Sequence, residues 1–251
     1  IWPEENYLDF SLQDLVELKK RRNRQQVPPT QYYSETLPNG RTIAMLGNPN
    51  LGEVRGMLMA VENKVQESMC TEVWFNELRF SQLDEEGGWA AIARADIKLA
   101  DLGTFTLAGT ARSSGFGTLE QRVNDRSRED LYTFDASASI DAGKLLPKKL
   151  ALQVPVYAGI SKTIINPEYD PYDLDIKLQD KLRDAADGKI KDSIRNDAQD
   201  ITTIKTINFT NVRKLKTDGK RPKFWSVSNF DLNYSYIQTL SHNPLIEYDE
   251  L

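Results

Sequence analysis

His242 and Cys70 are the only histidine and the only cysteine of the chain, so a Cys–His nucleophile pair could be built in one way only. Such a pair needs thiol and imidazole within hydrogen-bond reach, and residues this far apart would meet only if the fold happened to join them. The same scarcity removes zinc sites of the Cys/His type. Glu168, Asp170, Asp173 and Asp175 could offer oxygen ligands to calcium. They lack the glycine and terminal glutamate of an EF-hand loop, and a solvated acidic loop is the simpler reading. Gly115-Phe116-Gly117 follows a predicted strand but opens no glycine-rich phosphate loop, and reads instead as a loop needing unusual backbone angles. Carboxylates abound without any pair marked for glycoside chemistry. The expectation is a protein that is not an enzyme, with no catalytic residue, no metal and no cofactor.

Composition narrows the partners. A net charge of -5 and a pI near 5.2 give no basic field for nucleic acid. Hydrophobic residues at 39% and charged residues at 27% argue against wholesale disorder. The longest nearly apolar stretch, residues 150–160, is too short for a membrane helix, which needs roughly 20 residues. A membrane β-strand needs only about 9 to 11 and alternates in polarity, so a mean hydropathy of -0.53 is compatible with a barrel. The first residues lack a starting Met and the plan of a signal peptide, so the chain is expected to begin inside a longer protein.

The elements that would position any site fall into two parts, residues 1–88 and 89–251. In the first, Ser11 and Asp14 have capping-box spacing before an apolar stripe of Leu12, Leu15, Val16 and Leu18, which predicts a helix. Lys19, Lys20, Arg21, Arg22 and Arg24 crowd its last turns, where they suit the helix dipole as a solvated end or serve as a docking patch. Pro28 and Pro29 stop the helix. Residues 30–80 read as a small β-module with turns at Pro38-Asn39-Gly40 and Asn48-Pro49-Asn50 and with strands over 54–61 and 71–80. Gly87-Gly88 closes it.

From Trp89 onward the period-2 signal dominates and predicts five antiparallel strands. Trp89, Ala91, Ala93, Ala95, Ile97 and Leu99 alternate with Arg94, Asp96 and Lys98; Phe105 and Leu107 with Thr104, Thr106 and Thr110. Tyr132, Phe134, Ala136, Ala138 and Ile140 alternate with Thr133, Asp135, Ser137, Ser139 and Asp141. The fourth strand occupies residues 150–161 around Pro155, and the fifth sets Phe230, Leu232, Tyr234 and Tyr236 against Asp231, Asn233 and Ser235. Short turns at 101–103, 144–149 and 239–244 alternate with long loops at 113–130 and 162–223, the pattern of short periplasmic turns and longer extracellular loops. The second loop is predicted to hold a helix over 178–186 and a basic segment over 211–223. The fold class is therefore mainly β: amphipathic strands forming part of a large outer-membrane barrel, after a small N-terminal α+β module.

In that reading Arg94, Asp96, Lys98, Asp135, Asp141 and Asp231 line a watery lumen, because a basic side chain facing lipid at mid-depth costs roughly 2 to 4 kcal/mol. Trp89, Ile97, Leu99, Tyr132, Phe134 and Ile140 face lipid or its interface. Five strands cannot close, and open edges in hydrocarbon leave backbone groups unpaired, so the chain is expected to be a fragment of a larger wall. A soluble β-sandwich, acting as a cell-surface adhesin, alternates in the same way and is the rival reading.

Particular words add to the pattern: Trp2-Pro3-Glu4-Glu5-Asn6, Gly47-Asn48-Pro49-Asn50-Leu51-Gly52-Glu53-Val54-Arg55, Val73-Trp74-Phe75-Asn76-Glu77-Leu78-Arg79 and Gly87-Gly88-Trp89-Ala90-Ala91. Further on stand Lys98-Leu99-Ala100-Asp101-Leu102-Gly103, Val156-Tyr157-Ala158-Gly159-Ile160-Ser161 and Asn208-Phe209-Thr210-Asn211-Val212-Arg213-Lys214. In this order the chain resembles the SprA/Sov family across nearly its whole length. The resemblance implies a protein-conducting translocon of the type IX secretion system, in the outer membrane of a Bacteroidetes-type Gram-negative bacterium and needed for gliding motility in gliding species. It implies secreted cargo proteins, a lateral partner of the PorV type and a plug protein as partners, and no catalytic residues.

Overall fold

Ser11 starts the first helix, α1 (Leu12–Arg24), by accepting a hydrogen bond from the Gln13 N–H at 3.1 Å. Gln25 caps its other end, and the chain turns away through Gln26 in the left-handed region before the two prolines. The structure, a computed structural model, describes residues 6–83, 86–215 and 224–250. The word at residues 2–5 and positions 216–223 of the predicted basic segment lie outside these. Strands β1 (Tyr33–Thr36) and β2 (Thr42–Met45) form a hairpin over Pro38-Asn39-Gly40, with Gly40 at φ 78°.

Beyond a single 3-10 turn at Leu51–Glu53 the expectation fails. The strands predicted over 54–61 and 71–80 are not formed, and every residue from 54 to 83 is exposed. A strand exists by pairing, and neither run pairs with a strand among the described residues.

The predicted alternation after Trp89 does build a sheet. It contains β3 (Ala90–Leu99), β4 (Gly103–Arg112), β5 (Glu129–Asp141), a two-residue strand β6 (Leu152–Gln153) and β7 (Pro155–Pro167). Pro155 stands at the first position of β7, where its missing N–H costs little, and Ala151 in the left-handed region separates the end of the 144–150 turn from the strands. Strands β8 (Tyr169–Asp170) and β9 (Asp173–Lys177) pair with each other, and helices α2 (Leu178–Asp184) and α3 (Gly188–Ala198) follow.

Residues 162–223 are therefore not one loop. They complete β7 and then supply β10 (Asp200–Lys214), the longest strand of the sheet. Two more follow, β11 (Leu232–His242) and β12 (Glu247–Glu250). The order is β12-β11-β10-β7-β5-β4-β3, antiparallel throughout, with β6 joined to β10 off this path. Phe230 and Asp231 precede β11 rather than belonging to it, and the turn predicted at 239–244 falls at 243–246.

The additional strand changes which loops share an end of the sheet. Connections 113–128, 168–199 and 243–246 lie at one end, and 100–102 and 142–154 at the other, where β10 ends and β11 begins. Strict alternation of short and long is lost, because each end has both.

The sheet is a single layer. Between β3 and β11 no strand residue of the sheet is buried, and both faces are open. The two-layer sandwich is not what these strands form. Among the described residues the buried apolar ones are Leu18, Met45, Ile176, Leu178 and Ala198. All belong to the cluster that α1 and β2 make with the 168–199 connection, so the core sits at one end of the sheet, not on its face.

Candidate functional site

The registers run without a shift from β3 to β10, so the faces can be read rung by rung. On one face Arg94 stands opposite Ala108, Asp96 opposite Thr106 and Lys98 opposite Thr104. Arg94 donates to Asp96 from Nε at 2.8 Å and Nη2 at 3.1 Å, and the Thr106 hydroxyl donates to the same carboxylate at 2.8 Å. Asp135 lies on this face between Ala108 and Ser161. Hydroxyls fill much of the rest: Thr110, Thr133, Thr163, Thr202 and Ser241 occupy one rung across five strands. Asp141, at the end of β5, accepts from the N–H groups of Gly143 at 3.1 Å and Val154 at 3.2 Å, so it closes the connection to β7. Asp231 is exposed just before β11.

The opposite face carries Ile97 against Phe105, Leu99 against Gly103, and Ile140 between Gly103 and Val156. Tyr132 stands between Ala111 and Ile164, and Phe134 between Gly109 and Lys162. Trp89 extends the ladder by bonding Ser113 through its N–H and C=O. These rows continue into β10, which places Ile207 and Phe209 on the apolar face and Thr206 and Asn208 on the polar one. Sequence reasoning missed β10 because Ile204 and Lys205 each fall on the opposite face from the one their polarity suggests. The run Ile201-Thr202-Thr203-Ile204 was nevertheless rich in β-branched residues, a signal that could have found it.

The basic cluster of α1 is a docking element, not a solvated end. Lys19 and Arg22 are 2% and 1% exposed. Lys19 donates to Asp173 at 2.6 Å, to Asp175 at 2.9 Å and to the Pro49 carbonyl at 2.7 Å. Lys20 meets Asp180 at 2.6 Å and Glu17 at 2.9 Å, and Arg24 pairs with Asp184. Arg22 holds the Gly47 carbonyl and Asn48, while Asp175 also accepts from the Leu51 N–H at 2.9 Å. The Gly47-to-Leu51 turn is thus clamped between α1 and β9. The acidic stretch weighed above as oxygen ligands for calcium is spent on lysines: Asp170 receives Lys181, and Asp173 and Asp175 share Lys19. A desolvated cation this close to several carboxylates offsets its burial by the charge-assisted bonds it makes.

Beside this cluster, a cavity of about 440 Å³ is lined by Ser114, Arg128, Asp130, Glu168, Lys177 and Arg195. Glu168 accepts from Ser114 at 2.6 Å and meets Lys177 at 3.0 Å, while Asp130 accepts from the Ser114 N–H at 2.8 Å. Burial pushes the Glu168 carboxyl up, but the bonds from Ser114 and Lys177 and the charge of Arg128 outweigh it and leave it below its ordinary value. Burial likewise opposes the charge on Lys20, and Asp180 and Glu17 overcome it and raise its pKa. Asp180 is lowered, first by its bond from Lys20. The carboxylates here are anchors for cations. His242 sets Nε2 2.9 Å from the Asn196 carbonyl, and Cys70 is exposed in the 54–83 segment, so neither belongs to a shared nucleophile site.

No curated protein matches the chain. A family model described as motility related/secretion protein matches residues 1–182, which include α1, the carboxylates that receive Lys19 and Lys20, and the sheet through β7. That match covers well over half of the 251 residues. The chain belongs to the SprA/Sov family of motility-related and secretion proteins.

Proposed function

We propose that the sheet is a section of the wall of an outer-membrane β-barrel that conducts secreted proteins, as in the type IX translocon. The observation that carries this is a single layer with one polar and one apolar face, neither of them covered. An apolar sheet face in water is a liability; in lipid it is a surface. The six long strands, of 10 to 15 residues, meet or exceed the roughly 9 to 11 that a tilted strand needs to cross a bilayer. Arg94, Asp96, Lys98 and Asp135 then face the conduit, and Ile97, Leu99, Phe134 and Ile140 face lipid. The outer edges of β3 and β12 take further strands, since unpaired backbone in hydrocarbon costs several kcal/mol per group. The capped end, holding α1 and the 113–128 and 168–199 connections, lies outside the cell. Cargo passes along the hydroxyl-rich face, with a PorV-type lateral partner and a plug protein governing exit, and the wall itself catalyses nothing.

The test is fractionation and export with the full-length gene product. It is expected in the outer-membrane fraction, soluble only with detergent, and deletion of residues 89–242 is expected to stop cargo export. Protein that stays in buffer without detergent supports an adhesin and contradicts the barrel.

A further inference from the structure

The rungs of the sheet place the side chains of the apolar face at known relative heights, and toward the capped end that face stops being apolar along a line. On β11 the first polar side chain of this face is Gln238, on β10 Lys205 and on β7 Lys162, while on β5 Tyr132 is the last aromatic residue before Asp130 and Trp89 stands ahead of β3. Gln238 and Lys205 share a rung with Ile160, Ala136, Leu107 and Ala95. From that rung Lys162 stands two residues further toward the capped end, Tyr132 four and Trp89 six.

The line therefore climbs about 20 Å along the strands while crossing five strand spacings, about 24 Å, which is a slope of about 40°. A flat boundary drawn across tilted strands leaves this trace, and strands of membrane barrels tilt by about 35 to 45°. Below the line, as far as the rung of Val156, Phe209 and Tyr234, the face carries no charged residue: Val156, Ala158 and Ile160 on β7, Ile207 and Phe209 on β10, Tyr234 and Tyr236 on β11. Above it, Ile164, Ile201 and Leu240 are mixed with Thr203, Asp130 and His242.

Lys162 and Lys205 are diagonal neighbours on adjacent strands, since Lys162 stands opposite Thr203 and Lys205 opposite Ile160. Both are exposed, and neither has an ion pair among the described residues. Two like charges this close on an otherwise apolar surface call for an anion. Their four-carbon stems can lie on the apolar band while the ammonium groups rise past it.

We propose that Lys162 and Lys205 bind the phosphate of a lipid headgroup, and that with Tyr132 and Trp89 they mark the boundary between hydrocarbon and headgroups on the capped side. The proposal rests on the barrel reading. A phosphate held between two ammonium groups gains from both charges, and each lysine near a membrane surface is worth about fivefold in affinity for anionic lipid.

The experiment uses the full-length protein in nanodiscs of phosphatidylcholine with and without phosphatidylglycerol, in a background cleared of other reactive thiols. Ala158→Cys, below the line, is expected to resist a membrane-impermeant maleimide, and Thr203→Cys, above it, to react. K162Q/K205Q is expected to lose its enrichment of phosphatidylglycerol over phosphatidylcholine by about 25-fold at low ionic strength. Inorganic phosphate is expected to bind wild type and K162Q/K205Q alike. Equal labelling of both cysteines overturns the barrel reading and this site with it. A protected Ala158→Cys with unchanged lipid enrichment in K162Q/K205Q overturns the lysine site alone. Binding of inorganic phosphate that the double variant abolishes, without lipid enrichment, overturns the lipid as the source of the phosphate.

Discussion

Lys19 and Asp175 lie 156 residues apart in sequence and 2.9 Å apart in space, both almost fully buried. This pair, with Asp173 as second acceptor, bolts α1 to the connection between β7 and β10. The N-terminal helix is thereby carried at the same end of the sheet as the 113–128 connection, whose Ser114 reaches Glu168 at the start of that assembly.

Removing one partner of a buried pair leaves an uncompensated charge and costs about 3 to 5 kcal/mol. Lys19→Ala is therefore expected to speed amide exchange in residues 12–24 of the full-length protein by about two to four orders of magnitude. Arg24→Ala, which removes a half-exposed ion pair, should leave that exchange nearly unchanged. Equal protection in wild type and the Lys19 variant would show that α1 is held by something else.

The neighbouring ion pairs of Lys20 with Asp180 and of Glu168 with Lys177 set a pH window. Asp180 and Glu168 have folded pKa values below their ordinary 3.8 and 4.5, so their contribution is complete above those values and fades as pH falls through the lowered ones. Lys20 is raised above 10.5, so its contribution is complete below that value and fades as pH rises through the higher one. Protection of α1 against proteolysis should be flat from about pH 5 to 9 and fall in stronger acid. A steep change near pH 7 would contradict the assignment.

Gly88 enters the sheet where a Cβ would run into the Phe116 nitrogen and the Ser114 carbonyl oxygen, whereas a Cβ on Gly87 would meet nothing within 4 Å. Gly88→Ala must shift backbone against backbone and is expected to destabilise the capped end by about 1 to 3 kcal/mol, while Gly87→Ala is expected to be near neutral. Exchange at residues 113–116 reads the difference. Similar behaviour of the two variants would mean that the close approach does not constrain the chain.

The legible part of this fold was its alternation. Ala93 to Leu99 and Tyr132 to Asp141 announce strands because a half-exposed sheet enforces a period of two. β10 stayed hidden because Lys205 and Ile204 break that period, and 54–61 and 71–80 misled because apolar alternation does not by itself provide a neighbour. The burial of Lys19, Lys20 and Arg22 was beyond local reading. Helix-end lysines are ordinarily solvated, and only the fold brings Asp173, Asp175 and Asp180 to them. Both halves of that contact, the basic cluster and the acidic stretch, were visible as separate features without a sign that each was the other's partner.

In the proposed wall, alternate residues of β3 face water and lipid. Single cysteines at Ala93, Ala95 and Ile97 and at Arg94, Asp96 and Lys98 in the full-length protein, labelled in intact membranes with a hydrophilic maleimide, separate the two faces. Labelling at 94, 96 and 98 with protection at 93, 95 and 97 is the expected result. Uniform labelling at all six positions, as on a strand with water on both sides, would contradict it.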